Sequence, residues 1–263
     1  MITPRPNITV NADVTNPGQF FACCGLLELA HRLWPGAEGW FADSAFHVRA
    51  AQHDMREMVG QLRQIKYRTL ALVPAGTPDT VNTHSKTKKK KGGDPAKILP
   101  LFLEEPLNLR LDWWLDGNQA GPLKLWSAHQ TSARLFGDMR DASPAGPTDL
   151  FEYQHAMTGR YGFDPRTAWE ALNVGFSPND QSMEVATYPT VELLAAIGLQ
   201  RFRPVEVGGG FLRYACWAVP LQPNVAFAAM GGLVGACQST SYAFRIVQRG
   251  KFKAFDFATP IGD

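Results

Sequence analysis

The sequence predicts an α+β protein with antiparallel sheets. Three observations carry that prediction: strand-like and helix-like segments interleave along the chain, short stretches such as LNLRLDWW (107–114) alternate apolar and polar residues, and the chain closes on a hairpin pattern, FRIVQRGKFKAF (244–255). At 263 residues, with 45% hydrophobic and 19% charged side chains, the chain can bury a substantial core as one large domain or two fused halves. Its longest low-polarity run, Val225 to Cys237, is shorter than the roughly 20 residues a membrane span needs and holds three glycines. No membrane partner is expected. The opening MITPRPNITV has no apolar signal core, so a cytoplasmic location is predicted.

Asn7 to Val14 reads as a first strand, and a helix follows over Gln19 to Trp34. Asn16 suits its N-cap, Pro17 its first position, and Gln19 stands three residues after the cap; Pro35 and Gly36 stop it. Within it Gly25 costs about 1 kcal/mol relative to alanine, which packing must offset. Cys23 and Cys24 fit small hydrophobes, since no Cys spacing suggests zinc or a redox pair. Glu28, His31 and Arg32 mark one wet face. Gly39 to Arg49 is extended, and Met55, Met58, Val59, Leu62 and Ile65 give an amphipathic helix over Gln52 to Ile65.

Residues 74–100, PAGTPDTVNTHSKTKKKKGGDPAKILP, carry six lysines and almost nothing to bury, which predicts a mobile insertion. LNLRLDWW is then a half-buried strand, LKLW (123–126) a second short one, and Ser127 with Gln130 a capping box for a helix toward Met139. Ala142 to Thr148 is the candidate joint, dividing the chain into halves 1–147 and 148–263. A short helical patch lies near Thr167 to Leu172, and Tyr188 to Pro204 is the second clear helix. Its LLAAIGLQRFRP matches FFACCGLLELAHRLWP of the first: a large apolar pair, three small or medium residues, glycine, leucine, charge, proline. That pattern suits helices lying very close to a sheet or to each other. Phe211 to Val219 reads as a strand, Val225 to Val234 as a Gly/Ala-rich helix, and Tyr242 to Phe257 as the final hairpin, turning near Arg249 and Gly250.

Net charge is only +2, so the distribution of cations is more informative than their sum. Lys86, Lys88, Lys89, Lys90, Lys91 and Lys97 suit phosphate backbones, although a solvated loop explains them as well. Arg245, Arg249, Lys251 and Lys253 cluster in the final hairpin beside Tyr242, Phe244, Phe252 and Phe255, which fits either a nucleic-acid ribbon or a protected sheet edge. Gly208 to Gly210 permit close backbone approach, but with no strand before them they form no dinucleotide fingerprint. No catalytic constellation, metal site or cofactor motif stands out. Asp138 and Asp141 read as a solvated face, and His155 with Tyr161 is the one candidate pair for acid–base RNA cleavage.

TNPGQFFACCGLLELAHRLWPGAEGWF, LNLRLDWW, GRYGFDPRTAWEALNVGFSPNDQ and YPTVELLAAIGLQRFRP together resemble a CRISPR-associated family. It is the small subtype-specific protein, third of the "b" series, of type I-U operons, also called type I-G. The resemblance implies a non-catalytic subunit of an RNA-guided surveillance complex, with CRISPR RNA or target DNA and other effector subunits as partners. It also implies ferredoxin-like (RAMP-type) halves, the basic insertion meeting guide or target phosphates. Two other roles stay open: a metal-independent repeat RNA endonuclease using His155, and a purely protein-bridging subunit using Trp113, Trp114 and the apolar helices.

Overall fold

The structure is a computed structural model that describes residues 5–72, 98–127, 129–146, 149–167, 185–234, 237–249 and 252–262. It is a mixed α+β protein of five helices and several small antiparallel sheets among those residues. Residues 74–97 of the predicted insertion and most of the Thr167 to Leu172 patch lie outside them; Ile98 to Pro100, at its end, are tied into the fold, with Ile98 buried and its carbonyl accepting from Trp114.

The first half opens β1 (Ile8–Asn11), α1 (Pro17–Leu33), β2 (Glu38–Ala42), β3 (Ala45–Arg49), α2 (Met55–Gln64), β4 (Tyr67–Thr69). Asn16 caps α1 as its sequence position predicts, accepting from the Gln19 N–H at 3.2 Å. The extended stretch after α1 is a hairpin: β2 and β3 meet through Asp43 and Ser44, both at positive φ (50° and 58°), as a two-residue turn of this hand requires. β3 lies between β1 and β2 and runs antiparallel to both, with α1 as the crossing connection. β4 does not join that sheet. It pairs with β5 (Leu101–Leu103), which pairs with β6 (Leu109–Leu111).

After the small β7 (Leu115–Asp116) and β8 (Gln119–Ala120) pair comes α3 (Ser132–Ala142). Two expectations fail here. LKLW is no strand, because Lys124 bends back through a turn onto the Gly121 carbonyl (3.1 Å). The cap of α3 is Thr131, which accepts from the Arg134 N–H at 3.1 Å, rather than Ser127 with Gln130. β9 (His155–Met157) then pairs with β10 (Val185–Thr187).

The second half continues α4 (Pro189–Gly198), β11 (Val205–Gly208), β12 (Phe211–Trp217), α5 (Pro223–Met230), β13 (Gln238–Arg249), β14 (Phe252–Phe255) and β15 (Thr259–Ile261). From β10 to β13 the element order β-α-β-β-α-β repeats that of β1 to β4. β11, β12, β13 and β14 form one ladder in that order, with β15 also on β13. Gly208 to Gly210 close the β11–β12 hairpin, so a strand does precede them. Gly209 and Gly210 sit at φ +60° and +76°, Gly210 with open space at its Cβ position and Gly209 with only an ordinary contact to the Phe211 ring, so it is this turn, not close approach, that calls for glycine there.

One buried core spans both halves, and α1 crossing α4 lies at its centre. α1 is buried on every side from Pro17 to Ala30. A Cβ on Gly25 would stand 1.8 Å from the Leu194 carbonyl oxygen, and one on Gly198 would stand 2.2 Å from that of Phe21. Each glycine therefore points a Cα hydrogen at a carbonyl of the other helix. The contacts are reciprocal. Gly25 and Gly198, like Phe21 and Leu194, are 173 residues apart, the offset that also separates the ion pair Glu28–Arg201.

Glu28 is consequently not on a wet face; it is 1% exposed. Arg32 reaches it at 2.7 Å and Arg201 at 2.6 Å. Burial pushes its carboxyl up, but the two guanidinium groups outweigh that and hold it below the usual range. Cys23 and Cys24 are buried thiols raised by burial, as expected of small hydrophobes. The N- and C-terminal regions meet: Ala258 donates to the Thr15 carbonyl at 2.7 Å, and Tyr214 Oη to that of Val14 at 2.6 Å.

Gly25→Ala and Gly198→Ala each force a methyl group into a carbonyl, so both are expected to cost about 3 kcal/mol or more, whereas Gly60→Ala, with nothing near its Cβ, should be neutral or stabilising. Urea denaturation of the three variants checks this.

Candidate nucleic-acid interface

The alternation of β13 decides which hairpin cations act together. Leu212 and Phe244 pair on the inner face of the ladder and Phe211 and Arg245 on the outer one. Arg245 is exposed, and its guanidinium carbon lies 3.8 Å from the Phe211 ring centroid. Among the described residues it enters no ion pair. Arg213, two residues along from Phe211, turns to donate to the Gly231 carbonyl at 3.1 Å.

The remaining predicted cations are placed less uniformly. Arg249 pairs with Phe252 in the ladder, so the predicted hairpin does form. Lys253 pairs with Gln248, one step out of phase with Arg245, and so belongs to the opposite face. Arg245 and Lys253 do not share a surface. Lys251 and Lys86, Lys88, Lys89, Lys90, Lys91 and Lys97 lie outside the described residues, but the root of the lysine segment does not. It enters from β4 and leaves into β5, where the Leu70 N–H donates to the Pro100 carbonyl at 2.8 Å.

β14 is held from behind by a feature that the sequence reading missed. The backbone N–H groups of Gly162, Phe163 and Asp164 all donate to the Glu192 carboxylate, at 2.9, 2.9 and 3.0 Å. That cradle fixes the loop whose Gly162 carbonyl accepts from Phe255 of β14 at 2.9 Å. Asp164, also fully buried, accepts from Asn16 at 3.0 Å and is gripped by Arg166 at 2.7 Å. Burial raises the Glu192 carboxyl to about 7, the Asp164 charge adding to the rise while the backbone donors oppose it. The only sequence signal was a glutamate in an otherwise apolar helix, ELLAAIG.

His155 stands exposed on β9 and lines a groove of about 620 Å³ with Tyr153, Arg63, Arg134, Asp138 and Asp141. The structure thus brings together His155 and the two aspartates of α3. Tyr161 does not join them: it is fully buried, its hydroxyl donating to the Ser132 carbonyl at 3.2 Å. Trp113 and Trp114 are buried as well, their ring N–H groups donating to Ala196 and Ile98, so neither is offered to a partner protein.

Among the described residues no group of His, Cys, Asp and Glu side chains is placed to hold a metal ion, and no helix is long and apolar enough to cross a membrane. Comparison of the chain with protein-family models, curated proteins and solved structures found no match.

Because the folded carboxyl of Glu192 titrates near 7 and the unfolded one near its ordinary 4.5, this group favours the fold below pH 4.5. That contribution fades as pH rises and is gone above about 7. Glu192→Gln should flatten that part of the pH dependence. It also leaves the Gly162 N–H without an acceptor, at about 1–3 kcal/mol. Denaturation at pH 5 and at pH 8 measures both effects.

Proposed function

We propose that this chain is a non-catalytic subunit of a type I-U (type I-G) CRISPR surveillance complex, binding guide RNA or target nucleic acid and docking against other effector subunits. The observation that carries the reading is the exposed Arg245 stacked on Phe211 across an open ladder, a cation and an aromatic ring together on a solvent face. Such pairs suit a polyanion whose bases have open π faces. The six lysines between β4 and β5 add cations that suit phosphates. The proposed ferredoxin-like arrangement draws support in the first half from the β1-β3-β2 sheet, a split β-α-β arrangement; the second half repeats the element order, but its sheet runs β11-β12-β13 without β10. In this reading the protein works in the cytoplasm.

Fluorescence anisotropy with labelled repeat RNA over a salt series tests the proposal. Binding should weaken steeply with salt. Replacing Lys88, Lys89, Lys90 and Lys91 by alanine should flatten the slope of log K against log salt by up to about 3. Arg245→Ala should weaken binding several-fold. Binding indifferent to salt and to all of these changes rejects the reading.

One observation favours a second reading, metal-independent cleavage of repeat RNA. His155, an exposed base, shares its groove with the cations Arg63 and Arg134 as well as with Asp138 and Asp141. This reading predicts RNA cutting in EDTA that His155→Ala abolishes. A pure preparation that binds repeat RNA and leaves it intact rejects it.

A further inference from the structure

The sheet of β4, β5 and β6 has two unlike faces. Leu101, Leu103, Leu109 and Leu111 are buried on one, toward α3, where Tyr67 meets Phe136 edge-on at 5.0 Å. On the other face the ladder register sets Arg68, Phe102 and Arg110 side by side, one from each strand. The Arg68 guanidinium lies over the Phe102 ring, 5.0 Å from its centroid. Both arginines are more than half exposed, 59% and 52%.

Two carboxylates touch this row, and one of them is shared with a third arginine. Glu104 is 4.0 Å from Arg68, at the limit of an ion pair. Asp112 is 2.7 Å from Arg110 but also accepts from Gln200 and pairs with Arg203 at 3.6 Å, so one carboxylate serves two guanidinium groups. Exposed pairs of this kind contribute little to stability. With Arg203 counted, three guanidinium groups meet two carboxylates, so the neighbourhood of the ring keeps one net positive charge, and the lysine segment leaves from the same pair of strands.

We infer that the Arg68–Phe102–Arg110 row is a binding site for one unstacked base of single-stranded RNA and its two flanking phosphates. Strands about 4.8 Å apart place Arg68 and Arg110 on either side of the ring, at a span that suits a nucleotide lying across it. The base stacks on the Arg68 guanidinium plane that the Phe102 ring backs, and Arg110 meets a phosphate. A duplex cannot use this site, because its base faces are already stacked. The inference rests on the nucleic-acid reading above and assigns it a strand type and a base-reading surface.

The test is anisotropy on the full-length protein with a labelled U-rich RNA, the same RNA annealed to its complement, and a DNA of the same sequence. Phe102→Ala and Arg110→Ala are each expected to weaken single-stranded RNA binding about five- to 100-fold and leave duplex binding unchanged. The four-lysine variant should weaken both. Irradiation of the wild-type complex with RNA carrying 4-thiouridine, followed by peptide mass spectrometry, should place a crosslink at Phe102 and needs no variant to fold. Unchanged single-stranded binding in both row variants, with the crosslink elsewhere, assigns this face to a protein partner and overturns the inference, while lysine-dependent binding leaves the broader proposal standing. Tighter binding of the DNA overturns the choice of RNA. Absence of any nucleic-acid binding overturns both readings together.

Discussion

The close crossing of α1 and α4 at Gly25 and Gly198 is the constraint on which the rest of the structure depends. Two helices that present hydrogen atoms instead of methyl groups to each other's carbonyls come nearer than side chains normally permit. The crossing itself is then dry: α1 is buried on every side as far as Ala30, Glu28 enters the core, and the partly exposed Arg32 and Arg201 follow to neutralise it. A buried carboxylate left alone would be strongly destabilising, so the ion pair is a consequence of the crossing rather than an independent source of stability. The shared offset of Gly25/Gly198, Phe21/Leu194 and Glu28/Arg201 gives the contact the self-complementary form of an isologous interface, built within one chain.

The two buried glutamates show two solutions to one problem. Glu28 is met by guanidinium groups and stays ionised, whereas Glu192 is met by three backbone donors from a single loop and titrates near neutrality. The second solution ties backbone to side chain. It converts a charge in α4 into a rigid 162–164 loop, and that loop supports β14 and hence the ladder on which Arg245 is displayed. The core and the proposed interface are thus mechanically continuous.

Much of this was legible in the sequence where the signal is local. The Asn16 cap, the α2 periodicity, the alternation of β6 and the final hairpin all follow from residues within a turn or two of each other. The paired FFACCG and LLAAIG stretches signalled the close approach. What escaped depends on partners distant in sequence or on backbone freedom in residues that rarely use it. Asp43 and Ser44 adopt positive φ without glycine, so the β2–β3 turn carried no punctuation. LKLW alternates like a strand, yet the Lys124 N–H closes a turn onto the Gly121 carbonyl while its ammonium reaches the Trp126 carbonyl and lies over that ring. At the proposed interface, the outward direction of Arg110 was readable from LNLRLDWW. That Arg68 and Phe102 stand beside it was not, because 31 residues separate β4 and β5 in the chain. The opposite facing of Arg245 and Lys253 likewise depends on the pairing register and not on their proximity in sequence.

The joining of Ala258 to Thr15 and of Tyr214 to Val14 has a consequence for synthesis. α1, apolar all round from Phe20 to Leu27, precedes α4 by 173 residues, and the strand that pins its entry comes later still. At ribosomal rates that is a wait of roughly ten to thirty seconds with a greasy segment uncovered. The nascent polypeptide therefore cannot complete its core until α4 and the strand carrying Tyr214 have both been made, and α1 stays uncovered for that interval.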